Sequence, residues 1–186
     1  ALLKEQINDH VWNKLYRRVL FQDICFPDGK NFEDISIIHK LLYTAGKVVV
    51  NSTPEYHYRI RQGSITKTYS AANLIDYADA YLSRYDFFRD ELKMPFGKNE
   101  ILLRPAAKGI SKVWRWWYGC DRQSRKAFDA RIKELELFSK QNFPLFGYHS
   151  RPVHLRLSTL FMHSSYKISF AVLFGINQLF RKIQQK

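Results

Sequence analysis

The stretch Ala71-Ala-Asn-Leu-Ile-Asp-Tyr-Ala-Asp-Ala-Tyr-Leu-Ser-Arg-Tyr-Asp-Phe-Phe-Arg-Asp-Glu-Leu92 decides the fold class. Leu74, Ala78, Tyr81, Leu82 and Tyr85 recur at three- and four-residue spacing, which puts them on one face of an α-helix. The same pattern continues downstream. Glu100–Tyr118 carries Ile101, Ala107, Ile110, Val113 and Trp117, with Pro105 placed near the helix start or at a kink. Asp121–Asn142 carries Phe128, Ile132, Leu135 and Phe138. Pro144, Gly147 and Pro152 mark a loop, and Pro152–His163 and Ser165–Lys182 read as two further helices.

Upstream the signal changes. Leu2–Asn8 and His10–Gln22 read as helical, the second from Val11, Leu15 and Val19. Phe26-Pro27-Asp28-Gly29 is a turn signal, after which Asn31 is placed to cap a helix from Phe32 to about Ala45. That helix has Ile38, Leu41, Leu42 and Ala45 on its apolar face, and Gly46 stops it. Three consecutive valines in Lys47–Asn51 predict a buried strand. Beyond Pro54, Glu55–Arg61 alternates as a second strand with Tyr56 and Tyr58 on one face. Two strands alone are marginal, so they are expected to join a larger sheet. The reading is α+β and predominantly helical, with a small strand element at about 47–61. Residues 1–69 are one part and residues 70–186 a helical tail.

Hydrophobic residues at 46% of the 186 suffice for a core, which argues against a disordered chain, and a charged fraction of 25% is ordinary for a soluble surface. The net charge of +13 is unevenly placed. Residues 1–100 hold 14 Lys+Arg against 13 Asp+Glu, whereas residues 101–186 hold 16 against 4. Such asymmetry points to an anionic partner: nucleic acid, anionic lipid or a phosphate-bearing substrate. Cys25 and Cys120 make no disulfide framework. Cys25, in the run Ile-Cys-Phe, reads as a buried thiol, and reduced thiols fit the cytoplasm. The polar start Ala-Leu-Leu-Lys-Glu shows no signal peptide, and its Ala fits an excised or processed beginning.

The run His10-Val-Trp-Asn-Lys-Leu-Tyr-Arg-Arg18 resembles a motif of family-2 glycosyltransferases. The resemblance continues through Val19–Asp34, Lys40–Val50 and Pro54–Thr66, in the family's order, over about a third of the chain. It implies a truncated GT-A-type fragment, the acceptor-side portion without the nucleotide-binding half. It also implies transfer of a sugar from a nucleotide-sugar donor to a hydroxyl, with inversion at the anomeric carbon. The acceptor would be a glycan or a lipid-linked glycan in surface polysaccharide synthesis.

The family's base is the Asp of its Glu-Asp pair, here Asp34, with Glu33 beside it. A base for a hydroxyl must be ionised and within hydrogen-bond reach, and the first turn of a helix favours the ionised form. The alternative is structural, because acids in first turns also serve as caps. Trp12 offers a ring for a sugar face or a core residue, and Lys14 a phosphate partner or a solvated cation; Asn13 lies between them. Arg61 and Ser64, in Arg-Gln-Gly-Ser-Ile-Thr, fall where the family meets the donor diphosphate, with Arg59 as the competing cation. His57 reads as structural.

The resemblance implies Mg²⁺ or Mn²⁺, yet no Asp-x-Asp follows a strand in this sequence, and the 186 residues are expected to be inactive alone. The unpaired sheet edge would favour a homodimer. Trp114-Arg-Trp-Trp-Tyr-Gly119 reads either as packed core or as a membrane-interface girdle. The last helix, with Ile168, Val172, Ile176, Leu179 and Ile183 beside Arg181, Lys182 and Lys186, is too short in its apolar run to span a bilayer. It reads either as packed on its own domain or as lying on the inner face of a membrane. The rival reading is a basic, aromatic helical module that binds nucleic acid or a protein partner without catalysis, although no nucleic-acid motif is present.

Overall fold

A computed structural model describes residue 2 and residues 6–59, 70–94 and 100–142. In chain order its helices are α1 (Glu33–Thr44), α2 (Ala71–Asp86), α3 (Glu100–Trp116), α4 (Arg122–Lys126) and α5 (Asp129–Asn142). A 3₁₀ turn at Arg18–Phe21 precedes α1, a π turn at Phe87–Glu91 extends α2, and a 3₁₀ turn at Trp117–Gly119 ends α3.

The core lies between α2 and α3. Leu74, Ala78, Leu82 and Tyr85 of α2 pack with Ala106, Ala107, Ile110, Val113 and Trp114 of α3, and Ile132 and Leu135 of α5 close the layer. Burying one such large side chain contributes roughly 1.5–3 kcal/mol, so this face alone accounts for much of the helices' stability. The two helices approach closely at Gly109, where a Cβ would stand 2.9 Å from Tyr81 Cβ and 3.0 Å from Ala78 Cα. Ser70 caps α2 by accepting from the Asn73 N–H at 3.1 Å, and Asp121 caps α4 by accepting from the Ser124 N–H at 2.7 Å. Pro105 lies inside α3, and the helix runs through it. Trp114 and Trp117 are both buried, so the Trp-rich run is core. The expected single helix over 121–142 is divided at Ala127–Phe128, where Phe128 turns onto the core.

The expected α+β architecture is corrected: the described residues form helices and turns and no strand. Residues 47–59 form neither a helix nor a ladder pair. Their local hydrogen bonds run from the Lys47 N–H to the Ala45 carbonyl and from the Thr53 N–H to Asn51 Oδ1. Val49 and Val50 are 81% and 77% exposed. A valine run has β propensity, but a strand exists only through hydrogen bonds to another strand. The chain therefore shows no GT-A-type strand element among the described residues, and the sheet edge that would favour a homodimer has no basis there.

The expected helix over 10–22 is also replaced. The Lys14 ammonium donates to the Asn8 carbonyl at 3.1 Å, to Asn8 Oδ1 at 2.9 Å, to Asn13 Oδ1 at 2.8 Å and to the His10 carbonyl. This side chain gathers the oxygens that a helix would direct to its own N–H groups, so the segment curls around it. Leu15 and Val19 are exposed as a result. Cys25 is likewise exposed, contrary to its apolar neighbours, while Cys120 is buried. The segments beyond residue 142 lie outside the described residues. Among those described, no helix is long and apolar enough to cross a membrane.

Candidate functional site

The entrance to α1 is built by a left-handed turn. Gly29 has φ +66°, which glycine adopts freely, and Phe32 has φ 61°, which costs a residue with a Cβ roughly 1–2 kcal/mol. Asp76 of α2 holds the turn in place. One of its oxygens accepts from Lys30 Nζ at 3.1 Å; the other accepts from the Asn31 N–H at 3.1 Å and the Asn31 side-chain amide at 3.0 Å. Asn31 is thus engaged with Asp76 and does not cap α1, contrary to its sequence position. Phe32 sits at the N-cap instead, its ring edge-on to Tyr77 at 5.0 Å. Lys112 of α3 lies over both rings.

This turn delivers Glu33 and Asp34 to the first turn of α1. Glu33 is exposed. The Asp34 side chain is 19% exposed, so it is neither sealed nor free. Its Oδ1 accepts from the Ile35 N–H at 2.8 Å, and its Oδ2 stands 3.7 Å from His10 Nδ1. Burial pushes the Asp34 carboxyl above its ordinary value, and the charges of Glu33 and Asp9 add to that. The Ile35 N–H and His10 oppose it without cancelling it. The dipole argument from sequence is outweighed by desolvation. The Tyr16 hydroxyl is buried without a partner among the described residues and is pushed up to about 12, first by burial and then by the Asp34 charge.

Asp34 is fixed in space by a buried cluster. Arg84 of α2 donates to the Ile35 carbonyl at 3.1 Å and pairs with Asp9 at 2.7 Å. The other Asp9 oxygen accepts from the Tyr81 hydroxyl at 2.6 Å. Burial raises the Asp9 carboxyl, but Arg84 and Tyr81 overcome it and hold Asp9 below the ordinary carboxylate value. The segment before α1, the start of α1 and the middle of α2 are thereby locked together.

Beside the carboxylate stands a group of rings. Trp12 lies 4.8 Å from His10 and 4.9 Å from Tyr58, stacked on each at 22°, and 4.6 Å from Tyr56. Of the candidate residues read from the sequence, Asp34 and Trp12 meet through His10. Asn13 and Lys14 form the curled loop, where Lys14 is saturated by loop oxygens and burial lowers its pKa. Arg59 is exposed next to Tyr58, while Arg61 and Ser64 lie outside the described residues. His10, Asp9, Tyr81 and Arg84 were not singled out by sequence reasoning. His10 heads the motif that contains Trp12; for the other three no local signal exists, because their partners are remote.

Among the described residues no group of three or more His, Cys, Asp or Glu side chains is arranged to hold a metal ion. They do not form a site for the divalent cation that the resemblance implies, and no chemical step is derived through one. The carboxylate can accept a proton from a hydroxyl placed at its open side, and the neighbouring rings can hold an apolar face near it.

Two proteins of Streptococcus pneumoniae serotype 4 share local similarity with this chain. Glycosyltransferase GlyG is 36% identical over 55 residues, which is 30% of this chain and 18% of that protein. Glycosyltransferase GlyA is 33% identical over 73 residues, 39% of this chain and 10% of that protein. The chain therefore spans under a fifth of the length of either relative. No family model matches the chain, and no solved structure does.

Proposed function

We propose that this chain supplies the acceptor-side machinery of a glycosyltransferase of the family-2 kind, with Asp34 as the general base. The observation that carries the reading is the Asp34 carboxylate. It is partly buried, its proton affinity is raised, and one oxygen remains toward the His10 side of the site. A raised proton affinity makes a carboxylate a better acceptor for the proton of an alcohol. In the proposed reaction the acceptor oxygen attacks the anomeric carbon of a nucleotide-sugar as its proton passes to Asp34. The bond to the nucleoside diphosphate breaks in the same displacement, and the configuration inverts.

Local similarity to two glycosyltransferases supports the class. Glu33 acts from outside by its charge, which raises the Asp34 carboxyl. Trp12 meets the sugar, and Asn13 and Lys14 shape the loop that carries it. Arg59, with Arg61 and Ser64, meets the donor's diphosphate, whose divalent cation, Mg²⁺ or Mn²⁺, is held by groups other than the described residues. The acceptor is a glycan or a lipid-linked glycan, met in the cytoplasm or at an anionic membrane face.

The test is Asp34→Asn in the natural protein that carries this sequence, assayed for release of nucleoside diphosphate from a panel of nucleotide-sugars. Loss of a general base lowers turnover by roughly 10²–10⁴-fold. Unchanged turnover with Asn at this position overturns the reading.

A further inference from the structure

Three large aromatic side chains near Asp34 are held against one another and still face solvent. Trp12 is 37% exposed, Tyr56 52% and Tyr58 56%. Apolar burial does not explain them, since the core lies between α2 and α3 and includes none of the three. Two separate segments converge here, residues 10–12 and 56–58, through a tilted ring contact at 4.6 Å and a stacked one at 4.9 Å. A ring surface that stays open while its geometry is defined has the form of a recognition surface.

The chemistry around the stack narrows the ligand. His10 stacks on Trp12 at 4.8 Å, and its Nδ1 is 3.7 Å from Asp34. The ring surface and the candidate base therefore share a neighbour. A pyranose has a face of C–H groups and a rim of hydroxyls. It suits a flat aromatic surface with a carboxylate close by. An acyl chain would need an enclosed apolar channel, and a phosphate would need clustered cations. Among the described residues neither is found at these rings.

We infer that the Trp12–Tyr56–Tyr58 stack is the acceptor subsite and that the acceptor group is a pyranose, its C–H face on the tyrosine rings and one ring hydroxyl directed to Asp34. This rests on the reading of Asp34 as the base and adds to it the rings that hold the acceptor sugar.

Saturation-transfer NMR on the 186-residue chain tests it without turnover. The probes are methyl glycosides of glucose, galactose, mannose and N-acetylglucosamine at millimolar concentration, with glycerol and methyl phosphate as controls. The expected result is transfer to the ring C–H protons of at least one pyranoside and none to glycerol. Tyr56→Ala/Tyr58→Ala reduces that signal by roughly fivefold or more, the size of one aromatic contact, while the helical circular dichroism is unchanged. Tyr56→Phe/Tyr58→Phe keeps the signal. If the double alanine variant loses helical signal, Tyr58→Ser alone serves as the decisive variant.

No transfer to any pyranoside overturns the subsite, as does transfer that survives loss of the tyrosine rings. Transfer to methyl phosphate alone, or capture of a protein partner by the rings with no pyranoside bound, does so too. Pyranoside binding together with full turnover of Asp34→Asn leaves the subsite standing and removes the base. Lost turnover of Asp34→Asn without pyranoside binding does the reverse.

Discussion

Arg84 Nη2 stands 2.7 Å from Asp9 Oδ1 in a pair whose Arg side chain is only 4% exposed. The same guanidinium reaches the Ile35 carbonyl at 3.1 Å and lies 5.1 Å from the Tyr81 ring. One side chain of α2 thus joins the segment that carries Trp12 to the helix that carries Asp34.

Replacing this guanidinium leaves a buried carboxylate without its cation. Arg84→Ala is expected to destabilise the fold by about 3–5 kcal/mol, the usual cost of breaking a buried pair on one side. Asp9→Asn is expected to cost less, since Tyr81 keeps a hydrogen-bond partner. Urea unfolding followed by circular dichroism measures both. The sign with pH follows from the direction of the Asp9 shift. Its folded-state carboxyl lies below the ordinary 3.8, so its contribution is present above that value and is lost as the pH falls through the folded value.

His39 sets a second acid limit. Its ring is buried edge-on to Phe87 at 4.9 Å, and neither nitrogen has a hydrogen-bond partner among the described residues. Burial, then the Arg84 and Lys40 charges, lower its pKa from 6.5 to about 3. The neutral ring is the folded form. Its stability is complete above pH 6.5 and falls progressively from there toward pH 3, because the unfolded chain takes up the proton first. His39→Leu should remove this part of the acid dependence, seen as a lower midpoint in acid titration of the helical signal. An unchanged midpoint would show that the acid limit lies elsewhere.

Asp34 is held at a cost to stability. Its carboxyl is raised above 3.8 by burial, so the ionised form is less favourable in the folded chain than in the unfolded one. Asp34→Asn should therefore raise the melting temperature at pH 7. That gain is full above the folded-state pKa, shrinks as the pH falls through it and is gone below 3.8. A melting temperature lowered by Asn at pH 7 would mean that the carboxylate serves the fold, as a first-turn acid usually does.

Gly109 marks a close approach of α3 to α2. A methyl group there meets Tyr81 Cβ and the Ala78 backbone at 2.9–3.1 Å, and backbone has little room to yield. Gly109→Ala is expected to cost about 1–3 kcal/mol through overpacking, despite alanine's better helix propensity. Gly109→Val should cost more. Thermal unfolding gives the comparison, and an Ala variant more stable than the parent would show that the helices can separate freely.

How much of this was legible depended on distance along the chain. The stripe Leu74, Ala78, Tyr81, Leu82 and Tyr85 is a local pattern, and all five are buried as the spacing requires. Gly46, with φ +65°, stops α1 as its position suggests. Tyr56 and Tyr58 share a side, as period two requires, although no second strand pairs with them among the described residues. Cys25, in contrast, was read from its two apolar neighbours and lies exposed, because burial depends on what packs from elsewhere.

The amino-acid order alone determined α1, α2 and α3 and the Glu33–Asp34 pair at a helix start, because helix formation and its amphipathic stripe are set within a few residues. Only the tertiary structure decided what surrounds that pair. Asp76 takes Asn31 from its capping role, Arg84 reaches back to Asp9, and Lys14 curls a segment whose pattern was helical. The first two outcomes follow from charges and hydrogen-bonding groups that are remote in sequence and meet only when α1 and α2 have packed; the third follows from an ammonium that competes with the helix for oxygens one to six residues away.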